Sequence, residues 1–241
     1  MMHLPKDYLD DLLVRMTHHS CAIENNTSTF SEAVSILLCR VIPGKISVHE
    51  FYELENHRLA FNYIIENIDQ ELTISLIHDI HSLLLERLHH ERGRFKSQEN
   101  AIVGALNHTA SPEETPSLMD QWLLNLNNQI QQANSSDDII LSICSSHIEF
   151  ERIHPYADGN GRTGRLLMMH LFLQNQIVPL VIQKENKHEY IQFLEKQDAN
   201  GFSVYAVSTI EKEKQRYKAF LNSLPKELSR GDGIDRCMKN L

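Results

Sequence analysis

HPYADGNGRTGR, residues 154–165, sets a histidine, an aspartate, an asparagine, two arginines and three glycines in one short stretch. Upstream of it, Ile139, Ile140, Ile143, Cys144 and Ile148 recur at helical spacing behind Asp137, a residue type suited to a helix N-cap. Downstream, Leu166, Leu167, Met168, Leu171 and Phe172 repeat the pattern until Pro179 ends it shortly after Ile177. The stretch is therefore a loop joining two apolar helices, and a chain organised around such a pair is expected to be mainly α.

That placement decides what the glycines can do. Gly159, Gly161 and Gly164 satisfy the GxGxxG spacing, but the dinucleotide fingerprint needs a buried strand running into its first glycine. Here the preceding residues are Ile153, His154, Pro155, Tyr156, Ala157 and Asp158. A P-loop fails on chemistry, because Arg165 and Leu166 stand where Lys and Ser or Thr are required. What remains is a loop whose glycines let the backbone approach a ligand, followed by a helix whose free N–H groups and dipole favour an anion. Phosphate is the natural occupant. Asn160 offers an amide donor, Arg162 and Arg165 offer cationic donors, and Asp158 is a hard oxygen ligand suited to Mg²⁺. His154, steadied by Pro155, can take a proton from an attacking hydroxyl near neutral pH. Group transfer from a nucleotide is the expected chemistry.

The rest of the chain reads as helix around this loop. Tyr8, Leu9, Leu12, Leu13 and Met16 predict a helix from Pro5 to Ile23, and Ser47 with Glu50 forms a capping-box pair ahead of Phe51, Leu54, Leu59 and Ile64. Thr73 opens another over Leu76, Ile77, Ile80, Leu83 and Leu84, and Ser111, Pro112 and Glu114 precede a stripe of Met119, Trp122, Leu123 and Leu126. Two more helices are expected at Lys187–Gln197 and Ser203–Phe220, and a polar, mobile tail from Lys226 to Leu241. GRFKSQENAIVG, residues 93–104, breaks the period: glycines bracket a segment that ends in Ala101, Ile102 and Val103, the one β-hairpin the sequence suggests.

Composition narrows the class further. The 241 residues are 41% hydrophobic and 23% charged, as expected of one compact domain. A formal net charge of −9 disfavours nucleic acid as a partner. No apolar run reaches membrane-spanning length and the N-terminus lacks a signal-peptide layout, so a cytoplasmic protein without a leader is expected. Cys21, Cys39, Cys144 and Cys237 form no CxxC pair, and the 14 histidines show no zinc spacing. His147, on the apolar face with Ile140 and Ile143, is expected to be a hydrogen-bonded core histidine, and Trp122 a core residue.

From His154 to Arg165 the chain resembles the Fic family signature HPFx(D/E)GNGRxxR, departing only at Tyr156, which stands for Phe and needs a partner for its hydroxyl. The likeness extends from about Ser47 to Phe220. It implies a Fic-type helical bundle with one short β-hairpin flap near the active site, and a protein adenylyltransferase. Such an enzyme passes AMP from ATP, with Mg²⁺, to a Ser, Thr or Tyr hydroxyl of a target protein, and pyrophosphate leaves. The resemblance makes His154 the general base and Asp158 the metal ligand. It makes the Gly159–Gly161 backbone an anion hole, and Asn160, Arg162 and Arg165 phosphate contacts, within a nucleotide-binding run that includes Thr163 and Gly164. Residues 93–104 would be the flap that aligns the target, with Ile102, Val103 and Gly104 bordering ATP. HEYIQFLEKQDANG resembles the adenine-pocket stretch, with Tyr190 matching and Ile191 and Asp198 departing from common Tyr and Asn.

Ser20, Cys21, Ala22, Ile23, Glu24 and Asn25 match the family's inhibitory pattern (S/T)xxxE(G/N). Ser20 and Glu24 share a helix face, and the resemblance makes Arg165 the residue that Glu24 engages, displacing the ATP γ-phosphate from its cation. The expected organisation is an N-terminal region 1–46 with the inhibitory helix, a catalytic core 47–225 and the tail 226–241. Self-modification and a homodimer stay open. Three other readings stand beside transfer of AMP to a protein: removal of AMP from a modified protein by the same site with Glu24 positioning water, transfer of another phosphate-containing group, and a non-catalytic nucleotide-binding interaction module. Intact His154, Asp158, Arg162 and Arg165 speak against the last.

Overall fold

The structure, a computed structural model, describes residues 2–100 and 109–223. Nine α-helices are formed by these residues: α1 Lys6–Ile23, α2 Phe30–Leu37, α3 Val48–Glu66, α4 Ile74–Leu84, α5 Thr115–Gln132, α6 Ser136–Ile153, α7 Asn160–Gln174, α8 Lys187–Lys196 and α9 Ala199–Ser223. A 3₁₀ turn, Lys184–Asn186, leads into α8.

Caps account for most of the starts. Ser47 and Glu50 form the expected capping box on α3, and Thr73 accepts from the Leu76 N–H at the head of α4. Thr29 and Glu32 form a second capping box that starts α2, a helix the apolar pattern did not reveal. The cap of α6 is Ser135, which accepts from the Asp138 N–H, so Asp137 stands two residues past it in the first turn, where its charge faces the positive end of the dipole. Ser111 and Glu114 bond reciprocally around the turn before α5, and the helix itself begins at Thr115.

α6 and α7 form the centre. α6 packs on α5, α7 and α9, while α3 and α4 cover the other side of α7. α7 is buried along almost its whole length, which is why its sequence lacks a polar stripe. α1 lies across α2, α3, α7 and α9 and brings the N-terminal segment onto the centre. Trp122 is buried and donates its Nε1–H to Ser146 O at 2.8 Å.

The expected β-hairpin is not seen: among the described residues there is no β-strand. Residues 93–100 are turns and irregular backbone, and two of their hydrogen bonds reach the 153–156 segment. The Lys96 N–H donates to Pro155 O at 2.9 Å, and Asn100 Nδ2 donates to Tyr156 O at 2.8 Å. On the other leg, the Ala110 N–H donates to Ile153 O at 3.3 Å. One backbone N–H on each leg, that of Lys96 and that of Ala110, is thus spent on the central loop and not on a ladder. Ile102, Val103 and Gly104, and the tail expected from 226, lie outside the described residues.

Candidate active site

The loop between α6 and α7 is built from the ends of both helices. α6 stops at His154, which takes a left-handed backbone (φ 51°, ψ 60°) while its N–H still reaches Phe150 O at 2.9 Å. That conformation is unfavourable for a residue with a β-carbon, and Pro155 cannot continue the helix, so the histidine is held at a fixed exit. α7 starts from Gly159 at φ 75°, where an added Cβ would come within 2.5 Å of Leu85 Cδ2. Glycine is needed there both for the backbone and for space. No side chain caps α7, which leaves its first turn to an anion.

Between these ends the chain is pinned by Tyr156, whose ring is fully buried. Its hydroxyl has the partner it requires, His78 Nδ1 at 3.0 Å, and the ring stacks on His81 with centroids 3.7 Å apart. Asn160 closes the loop on itself: Oδ1 accepts from the Tyr156 N–H at 2.9 Å and Nδ2 donates to Tyr156 O at 2.8 Å. Its amide, expected at the phosphates, is committed to the loop. Thr163 likewise donates to Gly159 O at 2.8 Å and is buried. Asp158 faces outward with its side chain 55% exposed, one oxygen accepting from the Gly159 N–H at 2.6 Å.

His154 Nδ1 lies 3.3 Å from Glu151 O. With the proton on Nδ1 in that bond, Nε2 is left as an acceptor. Burial pushes the imidazole down to about 4, so it is neutral at pH 7 and can receive a proton.

Both arginines are buried and both are paired with carboxylates. Arg165 donates from Nε to Ser20 Oγ at 2.9 Å and from Nη2 to Ser20 O at 3.0 Å and Glu24 Oε1 at 2.7 Å. Glu24 is the residue after α1, and Asn25 behind it is left-handed at φ 72° and accepts from Lys187 Nζ at 2.9 Å. Burial raises the Glu24 carboxyl, but the charge and hydrogen bond of Arg165, helped by Arg162 and Lys187, hold it below the usual carboxylate range. The carboxylate sits over the first turn of α7: a Cβ added at Gly161 would overlap Glu24 Oε1. Arg162 donates from Nη1 to Glu53 Oε1 at 2.9 Å, and its Nη2 lies 3.5 Å from Asp158 Oδ2. Tyr190 lies under Arg165, with the guanidinium carbon 6.0 Å from the ring centre, and its hydroxyl meets His147 Nε2 at 2.7 Å.

Residues 71–173, which contain α6, the loop and all of α7 but its last residue, match the family model described as Fic/DOC family. The chain carries a Fic domain. It is 30% identical over 217 residues to a protein named protein adenylyltransferase Fic from Drosophila mojavensis, an overlap covering 88% of this chain and 42% of that protein. The namesake from Drosophila grimshawi is 30% identical over 217 residues, covering 88% and 44%. This chain thus spans less than half the length of these curated relatives. Among solved structures, a Fic domain containing signaling protein from Bacteroides thetaiotaomicron superposes with a TM-score of 0.80 at 24% identity, covering 92% of each chain. Fic-1 from C. elegans superposes with a TM-score of 0.77 at 22% identity, covering 91% of this chain and 67% of that one. These two likenesses show a shared Fic fold.

Several residues that hold the Fic loop were not singled out from the sequence. Lys96 is buried beside it, donating from Nζ to Asn100 Oδ1 at 2.7 Å, Thr109 Oγ1 at 3.3 Å and Ile153 O at 3.4 Å. Burial pushes its ammonium down to about 8. Glu151 is enclosed next to Gly164 and His147, and burial pushes its carboxyl up to about 8, so the neutral acid dominates at pH 7. Glu53 and Lys96 had one signal in the sequence: each is a charge beside apolar neighbours, Phe51 and Leu54 in one case and Phe95 in the other.

Proposed function

We propose that this chain is a protein adenylyltransferase that moves AMP from ATP to a hydroxyl of a protein and that Glu24 restrains it. One observation carries the reading. A neutral histidine at the end of α6 stands beside the uncapped start of α7, and the cation of that helix, Arg165, is engaged by a carboxylate from another segment. The names of the curated relatives support the same reaction.

In this reading His154 Nε2 takes the proton of the target hydroxyl as its oxygen attacks the α-phosphorus, and the bond to the pyrophosphate oxygen breaks. The first turn of α7 and the arginines receive the phosphate charge. Asn160 acts on the loop and not on the ligand. Mg²⁺ fits the donor set: among the described residues no cluster of three His, Cys, Asp or Glu side chains exists, and Asp158 offers one exposed carboxylate. Mg²⁺ is usually held by one or two carboxylates together with substrate phosphates and water. When bound, it would neutralise charge on the phosphates. Glu24 keeps Arg165 occupied and lays its own negative charge over the anion site, so ATP cannot seat its γ-phosphate there.

The deciding experiment is the intact mass of the Glu24→Gly protein after incubation with Mg²⁺ and ATP, beside a Glu24→Gly, His154→Ala control. The expected result is addition of AMP that requires His154. Addition of phosphate alone, or no adduct on the protein or on added proteins, would overturn the reading.

A further inference from the structure

The two arginines of the loop are held by carboxylates of different mechanical character. Glu24 follows the last residue of α1 and its side chain is 37% exposed. It can leave without unpacking anything. Glu53 lies inside α3 with its side chain 7% exposed, and each of its oxygens is bound to a different part of the chain. Oε1 accepts from Arg162 Nη1 at 2.9 Å, and Oε2 accepts from Asn26 Nδ2 at 2.8 Å. The exposed His49 also lies near it, with Nδ1 3.8 Å from Oε2.

Asn26 stands two residues past Glu24, and the turn there folds around its side chain. Its Oδ1 accepts from the Ser28 N–H at 3.0 Å and Ser28 Oγ at 2.6 Å, while Nδ2 also donates to Glu50 O at 3.3 Å. Withdrawing Glu53 would pull a residue out of the body of α3 and leave the buried Arg162, 5% exposed, with only its longer 3.5 Å contact to Asp158. Glu53 is therefore built to stay. A guanidinium is a rigid planar fork, so fixing Nη1 also fixes where Nη2 points, and here Nη2 points to the Asp158 side of the loop.

We propose that Glu53 is a positioning residue for the nucleotide site. Its Oε1 holds one edge of the Arg162 guanidinium so that the other edge faces the phosphates beside Asp158, and its Oε2 ties that arrangement through Asn26 to the turn after α1. The proposal rests on the nucleotide-transfer reading. It adds that the segment carrying Glu24 touches both arginines: Arg165 directly, as a removable contact, and Arg162 through a permanent one. When Glu24 swings away, the Asn26–Glu53–Arg162 chain keeps the second cation in place for the incoming ATP.

The test measures Mg²⁺-ATP binding by calorimetry in a Glu24→Gly, His154→Ala protein, in which neither the restraint nor turnover intervenes. Glu53→Gln in that protein is expected to raise the Kd about tenfold, the scale of one charge-assisted hydrogen bond. Added to Arg162→Ala it should change the Kd by less than about twofold, since it then has nothing to position. An unchanged Kd on Glu53→Gln, or the full tenfold loss on top of Arg162→Ala, would overturn the proposal. Should Glu53→Gln not fold, Glu53→Asp, which keeps the charge and shortens the reach, is read by the same two comparisons. A parent protein that does not bind Mg²⁺-ATP at all would sink the transferase reading itself, and that failure is visible before any Glu53 variant is made.

Discussion

Arg165 Nη2 donates to Glu24 Oε1 at 2.7 Å, and the same guanidinium holds Ser20 through Nε, so the end of α1 is fastened to the start of α7 at two points one helical turn apart. The two contacts differ in exposure: Ser20 is buried, whereas the Glu24 side chain is 37% exposed. Ser20 is therefore the anchor and Glu24 the part that moves. Ser20→Ala removes a hydrogen bond to a charged group, worth about 1.5–3 kcal/mol in all, that aims the guanidinium at Glu24, and the part of it absent from the released state shifts the restrained population toward release. Automodification by radiolabelled ATP is expected to rise to a level between wild type and Glu24→Gly. A rate equal to wild type would show that Ser20 contributes nothing to the restraint.

Asn160 yields a prediction that separates two roles. Both ends of its amide are bonded to Tyr156, and the Tyr156 N–H has its bond with Asn160 Oδ1. Asn160→Ala leaves that buried N–H without its acceptor, at about 2 kcal/mol. For a chain of this size that corresponds to a fall in Tm of roughly 4–8 °C. Thermal unfolding without nucleotide reads this directly. If the Tm holds and only ATP affinity falls, the amide serves the ligand and not the loop.

The helices around the site were legible because burial writes itself into periodicity: the stripes of α1, α3 and α6 recur every three or four residues, and Ser47 and Glu50 announce a start. The same capping chemistry at Thr29 and Glu32 went unread because α2 is only eight residues long, too short for a stripe to stand out. The hairpin expected over 93–104 failed for a different reason. Glycine brackets and an apolar end describe a chain that turns, but they do not say whether its backbone N–H groups find a strand or the Pro155 and Ile153 carbonyls. Within the loop, the sequence gives donor types and not their directions. Asn160 and Arg162 are equally polar as letters, yet one amide faces its own backbone while the guanidinium is shared between Glu53 and the Asp158 side.

Tyr156 permits a substitution in the opposite sense. Its hydroxyl meets His78 Nδ1 at 3.0 Å, and its ring keeps the His81 stack whether or not the hydroxyl is present. Tyr156→Phe should cost about 1 kcal/mol, the usual value of one neutral hydrogen bond, or roughly 2–4 °C in Tm. AMP transfer measured in the Glu24→Gly background should be retained, because the hydroxyl does not point at the reacting groups. Loss of transfer without loss of stability would assign the hydroxyl a part in the chemistry.

His154 sets the final expectation. Burial, with a further push from Lys96, lowers its imidazole to about 4, while the hydrogen bond to Glu151 O and the charges of Glu24 and Asp158 pull the other way. A base must be unprotonated to act, so activity is lost as pH falls through the pKa of the free enzyme, which is the quantity that kcat/KM reports. The acid limb of kcat/KM for the Glu24→Gly protein should therefore lie well below the 6.5 of an ordinary histidine, with no loss between pH 8 and 6 on this account. Removing Glu24 takes away one of the charges that raise the imidazole, so the variant's limb should lie no higher than that of the wild type. Lys96→Met removes a cation that lowers it and should move the limb upward. A limb near 6.5 in the Glu24→Gly protein, unmoved by Lys96→Met, would mean that His154 is open to water during the reaction and that the flanking 95–100 segment does not shield it.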